Sequence, residues 1–165
     1  MAPSGLAAQA RAVEEAYAAI DLPDPRPTFS PGSDVDHLVG LATWLWLPGS
    51  WSSVDATATV GGVSATVVAT PVELTWDPGD GAGVRGCDGP SVAYEPHLPD
   101  DAGCTHTWRV RSTTSDRDGT FTSEVTVRWA VTWSDTTGDD GELGELETTD
   151  TVELRVVEAQ AVIDY

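Results

Sequence analysis

The two cysteines lie close to two of the histidines in the sequence, and together these residues could form either a metal centre or a disulfide. Cys87 and Cys104 bracket a loop that contains His97, and His106 follows shortly after the second cysteine. Thiolates and imidazoles are common zinc ligands, so these four residues could form a Cys₂His₂ site. The short spacing between cysteines that is typical of zinc sites is missing, whereas one disulfide explains both cysteines. We therefore predict a disulfide, which should stabilise the fold by about 3 kcal/mol.

Aspartates in the middle of the chain could bind calcium. Asp77, Asp80 and Asp88 carry carboxylate oxygens, which are the ligands that calcium prefers. Three carboxylates are too few for a calcium site unless carbonyl oxygens and other loops contribute. We therefore expect a structural role for these residues and no metal, and keep a calcium site as the alternative.

Motifs of the common enzyme classes are missing from the sequence. No serine lies in a Gly-x-Ser-x-Gly elbow, and no glycine-rich loop opens a helix that could hold phosphate. Carboxylates are numerous, but acid/base catalysis needs a pair whose pKa values are separated by an apolar pocket, and abundance does not indicate such a pair. We therefore expect a non-catalytic protein with no cofactor.

Tryptophans suggest a second kind of binding chemistry. The chain has 7 tryptophans, and Trp44, Trp46 and Trp51 lie within one short segment. Sugars stack on exposed indole faces, so these three residues are candidates for carbohydrate binding. Buried tryptophan is the commoner finding in a β-sandwich. We favour that interpretation, in which the indoles fill space above a neighbouring face of small residues.

Composition limits the partners. A chain of 165 residues suits one domain, or one domain with an ordered extension. Its formal charge is −19 and its pI is near 4.1, and all of its 8 lysine-plus-arginine positions are arginine. A strongly anionic protein is repelled by phosphate backbones and by anionic headgroups, so nucleic acid and peripheral membrane binding are poor candidates. The use of arginine instead of lysine at every one of these positions indicates the coding bias of a high-GC genome.

The N-terminal residues predict a helical arm. Residues Ser4 to Ile20 are rich in alanine, Ser4 can cap the helix, and Leu6, Val13 and Tyr17 approximate an apolar stripe with Ile20. We assign residues 1–22 to this arm, 23–37 to a proline-rich linker and 38–165 to a β domain. The first residues lack the basic start and apolar core of a signal peptide, so an export signal is not present in the given chain.

Alternating residues predict strands in the β domain. The segment from Val54 to Ala69 should form a hairpin whose two-residue turn, Gly61–Gly62, pairs Val60 with Val63. Its inner face consists mainly of alanine and valine. Pro71 interrupts the continuing alternation, so we place it at a sheet edge or at a bend.

Further strands follow the same reasoning. Leu38 to Leu47 is apolar on both faces and predicts one strand covered on both sides. A hairpin should turn at Ser115 to Gly119, after a strand from Thr105 to Thr113 and before one at Val125 to Ser134. We predict that the acidic, glycine-rich residues Asp135 to Asp150 form a loop. The last strand, Thr151 to Ile163, should pair with residues 125–133 and have a bulge near Val156.

Three segments of the chain resemble the polycystic kidney disease (PKD) family of immunoglobulin-like domains. They are V-E-L-T-W-D-P-G-D-G at residues 72–81, C-T-H-T-W at 104–108 and G-T-F-T-S-E-V-T-V-R-W at 119–129. These correspond to family motifs of the form W-D-F-G-D-G, H-x-Y and G-x-Y-x-V-x-L-x-V. The matching positions are Trp76, Asp77, Gly79, Asp80, Gly81, His106, Trp108, Gly119 and Phe121.

The resemblance implies an all-β, immunoglobulin-like PKD-type sandwich, here with an added N-terminal helix and proline-rich linker. It implies that Asp80 caps backbone amides of a rigid turn, and that His106 bonds within the turn region. Such domains occur in secreted and surface proteins of high-GC Gram-positive bacteria. We therefore expect a secreted or cell-surface module that contacts a protein partner at the cell envelope, for example as a subunit of a surface appendage. The alternative is a carbohydrate-binding module that uses the tryptophans.

Overall fold

The computed structural model describes residues 5–49, 51–112 and 119–159. These residues form mostly antiparallel β-structure with one α-helix, which is consistent with a β-sandwich. In chain order the elements are α1 Gly5–Ala19, β1 Thr28–Ser30, β2 His37–Leu38, β3 Ala42–Trp46, β4 Val54–Val60, β5 Val63–Asp77, β6 Arg85–Cys87, a 3₁₀ turn Asp100–Ala102, β7 Cys104–Thr107, β8 Phe121–Asp135, β9 Asp140–Leu154 and β10 Val156–Val157.

The strands form three sheets. One has the order β1-β3-β7, a second has the order β4-β5-β8-β9 with β6 also paired to β5, and the third is the short parallel pair β2 and β10. The chain divides into two compact units. The helix unit comprises Met1–Pro23, Ser52–Val72 and Val127–Thr148, and the disulfide unit comprises Asp24–Trp51, Glu73–Thr126 and Thr149–Tyr165. Strands β5, β8 and β9 each contribute residues to both units.

Helix α1 buries alanines, while Val13, Tyr17 and Ile20 of the predicted apolar stripe are partly buried and Leu6 is exposed. Ala8, Ala12 and Ala16 are at most 1% exposed, whereas Leu6 is 78% exposed. The spacing of four residues places the three alanines on one face of the helix. Alanine has a high helix propensity and lets the helix approach its neighbour closely, so this face needs no large side chain. The predicted cap, Ser4, lies outside the described residues.

Helix α1 lies against the hairpin of β4 and β5. The hairpin has the predicted register, with Val60 opposite Val63, and both glycines of its turn have positive φ. Its inner residues on β5 include Ala65 and Val67, which are fully buried. The helix therefore packs on the β4 part of the small-residue face that we expected tryptophans to fill. Gln9 anchors the helix further, because its amide donates to Asp135 at 2.6 Å and to Asp139 at 2.8 Å.

Strand β5 continues through Pro71 without interruption. Its pairing with β4 ends at Ala69, and its pairing with β6 begins at Leu74. Pro71 lies between these two partners, where a missing backbone donor breaks neither ladder. Because β5 also pairs with β8, Pro71 does not lie on an edge strand; it lies at the gap between β4 and β6.

The predicted loop from Asp135 to Asp150 is wrong, because β9 begins at Asp140 and runs to Leu154. A short turn precedes it, in which Asp135 Oδ1 accepts from the amides of Thr137 and Asp139 at 2.9 and 3.2 Å. Most acidic residues of β9 are exposed, and they alternate along the strand with partly buried residues such as Leu143. An edge strand tolerates such a charged outer face, so the acidic composition did not indicate a loop.

The end of the chain also differs from the prediction. Strand β9 ends at Leu154, and the short strand β10, Val156–Val157, pairs parallel with β2 instead of continuing β9. The predicted extension to Ile163 lies outside the described residues, as does the predicted turn at Ser115 apart from Gly119.

The predicted strand from Leu38 to Leu47 is divided in two. A turn with Gly40 at a φ of +87° separates β2 from β3, and the amide of Gly40 donates to the carbonyl of Trp108 at 2.8 Å. The central residues of β3, Thr43, Trp44 and Leu45, are all buried. The expectation that both faces of this strand are covered is therefore confirmed.

Candidate interaction site

The turn after β5 is held by the side chains of its own aspartates. The amide of Gly79 donates to Asp77 Oδ1, and the amide of Ala82 donates to Asp80 Oδ1, each at 3.0 Å. Gly79 has a φ of +88°, and a β-carbon there would collide with the carbonyl oxygen of Thr122. Only glycine permits this close approach of two backbones.

Asp80 also joins the turn to β7. His106 Nε2 donates to Asp80 Oδ2 at 2.6 Å, and both side chains are only 4% exposed. A second bond fixes the turn to β8, because the hydroxyl of Ser123 donates to the carbonyl of Pro78 at 2.8 Å. Buried hydrogen bonds to a charged group are stronger than neutral ones, so Asp80 links the turn firmly to the neighbouring strand.

Aromatic rings surround His106. Its ring packs edge-on against Trp108 at 4.8 Å and against Trp76 at 5.8 Å between centroids. Trp108 stacks on Phe121 at 5.7 Å, and Phe29 of β1 contacts Trp76 at 5.8 Å. The structure therefore brings together most of the motif residues on which the resemblance rests, in the core of the disulfide unit.

A chain of hydrogen bonds crosses the same core. The indole N–H of Trp108 donates to the hydroxyl of Thr43 at 2.8 Å, and that hydroxyl lies 2.6 Å from Nδ1 of His37. Nε2 of His37 must donate to the carbonyl of Gly32 at 3.0 Å, so Nδ1 accepts from Thr43. Burial lowers the pKa of His37 below its ordinary value, although the Gly32 bond and Asp36 oppose this shift. The neutral ring is therefore the form that fits the network.

The cysteines are paired with each other. The Cα atoms of Cys87 and Cys104 are 5.4 Å apart and the sulfurs are bonded, so the predicted disulfide is confirmed. Neither cysteine offers a thiolate to zinc, and His97 is exposed beside Glu95. No group of three or more metal-ligating side chains occurs within residues 5–49, 51–112 and 119–159, and Asp77, Asp80 and Asp88 do not form one.

The loop closed by the disulfide lies over Trp44. The ring of Tyr94 meets that of Trp44 edge-on at 5.5 Å, and a β-carbon on Gly103 would be 2.5 Å from the same indole. Two bonds hold the loop to the sheet: the amide of Leu47 donates to Pro90, and that of Cys104 donates to Ser91 Oγ at 2.9 Å. The loop is therefore fixed at its base and packed over one face of β3.

The three candidate tryptophans have different exposures. Trp44 is only 2% exposed, so its faces are not available to a sugar. Trp46 and Trp51 are partly exposed. A sugar platform built on all three residues is therefore not present, although two of the indoles are accessible.

Next to Trp44 lies an open cavity of about 390 Å³. Its apolar lining includes Leu41 and Tyr94, which are 58% and 42% exposed, and its carboxylates are Asp36 and Asp100. None of these four residues belongs to a motif in the sequence. The available signal was a tyrosine within a loop bounded by two cysteines, but its contact with Trp44 depends on how that loop folds.

No described helix has the length and apolar character needed to cross a membrane. Comparison with known protein families, with curated proteins and with solved structures finds no match to this chain.

Proposed function

We propose that the chain is an exported, non-catalytic module of the PKD-type immunoglobulin-like class, and that it binds a protein partner through the loop closed by Cys87 and Cys104. The observation that carries this proposal is the loop itself. It is cross-linked at its ends and packed on Trp44, yet it presents Val92 and Tyr94 with 45% and 42% of their surfaces exposed. Loops held on a rigid scaffold commonly carry binding function, and tyrosine is enriched in protein interfaces.

Strand order supports the fold part of the proposal. The immunoglobulin fold has strands A, B and E in one sheet and C, F and G in the other, with C′ added in some members. The orders β1-β3-β7 and β6-β5-β8-β9 correspond to A-B-E and C′-C-F-G. Strand β4 and helix α1 would then be additions to that pattern.

The disulfide supports export, because disulfides persist in oxidising compartments and are rare in the cytosol. The enclosure of the Asp80–His106 pair supports a non-catalytic role. Both side chains line a cavity of about 430 Å³, but each is only 4% exposed and they bond to each other, which limits their contact with a substrate. A general acid or base must reach the proton that it transfers.

Affinity capture tests the proposal. Immobilised protein is exposed to an envelope extract of the producing organism, and retained protein is competed with free wild-type chain or with Val92→Asp. We expect competition by the wild type and loss of competition by Val92→Asp. The matched control is Val84→Asp, because Val84 is an exposed valine outside the loop, at 65%. If wild type, Val92→Asp and Val84→Asp all compete equally for the captured protein, the proposal that the loop is the binding surface is wrong.

Carbohydrate binding is the alternative function, and the partly exposed Trp46 and Trp51 are the observation that favours it. A glycan array separates the two functions. Saturable glycan binding that is lost in Trp46→Ala and retained in Val92→Asp would replace the protein-binding proposal.

A further inference from the structure

The cavity beside Trp44 combines an apolar floor with negative charge. Leu38, Leu41 and Ala42 line it from the β2–β3 segment, and Tyr94 lines it from the disulfide-closed loop. The charged side chains that line it are Asp36 and Asp100, and no arginine or histidine is among its lining residues. An occupant should therefore have an apolar stem and a positive end.

One rim carboxylate already attracts a guanidinium. Nε of Arg155 lies 3.6 Å from Oδ1 of Asp36, and both side chains are more than half exposed, at 57% and 54%. Asp100 has no hydrogen bond or ion pair from its carboxylate to any described residue. An exposed ion pair is weak and exchangeable, so the Arg155 contact does not block a competing cation.

The ring of Tyr94 adds a second attraction for a cation. Tyr94 is 42% exposed at the cavity and meets Trp44 edge-on. A guanidinium or ammonium over an aromatic face is attracted by the ring quadrupole, and the aliphatic stem of arginine or lysine gains by covering apolar surface. Leu41, at 58% exposed, provides such surface.

We propose that this cavity binds a basic side chain, arginine or lysine, from the protein partner; this rests on the proposed function. The charge of the whole chain favours the same partner, because a net charge of −19 draws a basic protein toward the surface and speeds its encounter. A separate cavity of about 430 Å³ has Arg85 and Arg109 in its lining beside Asp80, and it is the alternative position for a charged ligand, an anion. The field of the whole chain opposes that ligand, so the cationic ligand is preferred.

The probe is the peptide acetyl-Gly-Arg-Gly-amide, titrated into ¹⁵N-labelled protein and followed by NMR. The control ligand replaces arginine by citrulline, which has nearly the same shape without the charge. We expect saturable shifts of the Trp44 indole and of the Leu41 and Tyr94 amides, with a Kd on the order of millimolar, and no comparable shifts with citrulline. Shifts spread evenly over the acidic surface, or equal shifts with citrulline, would overturn the proposal.

Paired variants separate the site from the general charge. Asp36→Asn and Asp100→Asn should each weaken binding roughly threefold, as expected for exposed ion pairs. Asp34→Asn and Asp101→Asn remove the same charge from neighbouring positions outside the cavity lining, and should leave the affinity unchanged. Tyr94→Phe should bind like wild type, whereas Tyr94→Ala should bind more weakly. If all four aspartate variants weaken binding equally, the peptide is held by non-specific attraction to the acidic surface, and the proposed site is wrong.

A last comparison separates this inference from the proposed function. If an Asp36→Asn/Asp100→Asn double variant competes for the captured partner as well as wild type does, the basic-side-chain inference is wrong while loop-mediated binding stands. If wild type captures no competable partner but binds the arginine peptide, the proposed function fails and the cavity remains a cation site. Stronger shifts of the same amides by chitotriose than by the arginine peptide would overturn the inference in favour of a glycan.

Discussion

The helix unit buries mainly alanine and valine together with Trp129, whereas the disulfide unit buries several aromatic side chains. In the helix unit, Ala8, Ala12 and Ala16 of α1 lie against a hairpin whose buried residues include Ala65 and Val67. In the disulfide unit, the buried residues are large and aromatic, and the buried polar residues of the described chain all lie there as well: His37, Thr43, His106, Ser112 and Ser123.

The difference shows two ways of specifying a packed core. Small side chains allow a helix and a sheet to approach closely, so specificity comes from the absence of room for anything larger. Aromatic and polar side chains need defined partners, because an unpaired buried donor or acceptor is costly. The hydroxyl of Thr43 accepts a hydrogen bond from the Trp108 indole and donates one to His37. The carboxylate of Asp80 accepts hydrogen bonds from His106 and from an amide of the turn. These hydrogen bonds connect core residues of the unit that carries the disulfide-closed loop.

The largest effect should come from the aromatic core. Trp108→Ala removes the stack on Phe121 and the hydrogen bond to Thr43, and should cost about 3–5 kcal/mol in the free energy of unfolding. Trp133→Ala is the control in the helix unit, because Trp133 is only partly buried. Urea denaturation measures both, and equal losses would contradict the role of Trp108 in a closely packed aromatic core.

Asp80 tests whether the turn is structural or binds calcium. Asp80→Ala leaves buried His106 and the Ala82 amide without their partner, and should cost about 2–3 kcal/mol, whereas Asp80→Asn should cost less. Calcium should not change the melting temperature of the wild type beyond the change that magnesium produces. A calcium-specific rise in Tm that disappears in Asp80→Asn would instead establish a metal site.

Overpacking tests the small-residue core of the helix unit. Ala12→Leu places a large side chain where the alanine is 0% exposed, and should cost about 2 kcal/mol. Ala10→Leu, on the exposed side of the same helix, should be nearly neutral. If the two variants have the same stability, the helix does not pack closely on the hairpin.

The smallest effect concerns pH. Because burial lowers the pKa of His37, the unfolded chain binds the proton more readily, and stability should fall as the pH drops below about 6.5. The free energy of unfolding should decrease between pH 7 and 5, and His37→Gln should lack this decrease. Hydrogen bonds from Thr137 to Asp135 and from Thr120 to Glu153 lower the pKa values of those carboxyls, so their contributions are lost only under more acidic conditions. Urea denaturation at several pH values separates the two ranges.

Local chemistry predicted much of the fold but little of the site. The Gly61–Gly62 turn specifies the register of the hairpin, and the alternation of apolar residues in β8 specifies which of its faces is buried. Both features could therefore be predicted from residues that are close together in the sequence. Strand β9 was missed because its inward positions include Gly141 and Thr148, which do not stand out among acidic residues. The cavity was missed because Trp44 becomes buried only when a loop some fifty residues later folds over it.

The claim that the disulfide unit carries the binding surface is tested most directly by site-specific photo-crosslinking in the producing organism. A photoreactive phenylalanine analogue is placed at Tyr94 in the disulfide-closed loop or at Leu6 in the helix unit, which is the more exposed position at 78% against 42%. We predict a discrete crosslinked protein at position 94 that excess wild-type chain competes away, and no such product at position 6. A competable product at position 6 alone would contradict the account.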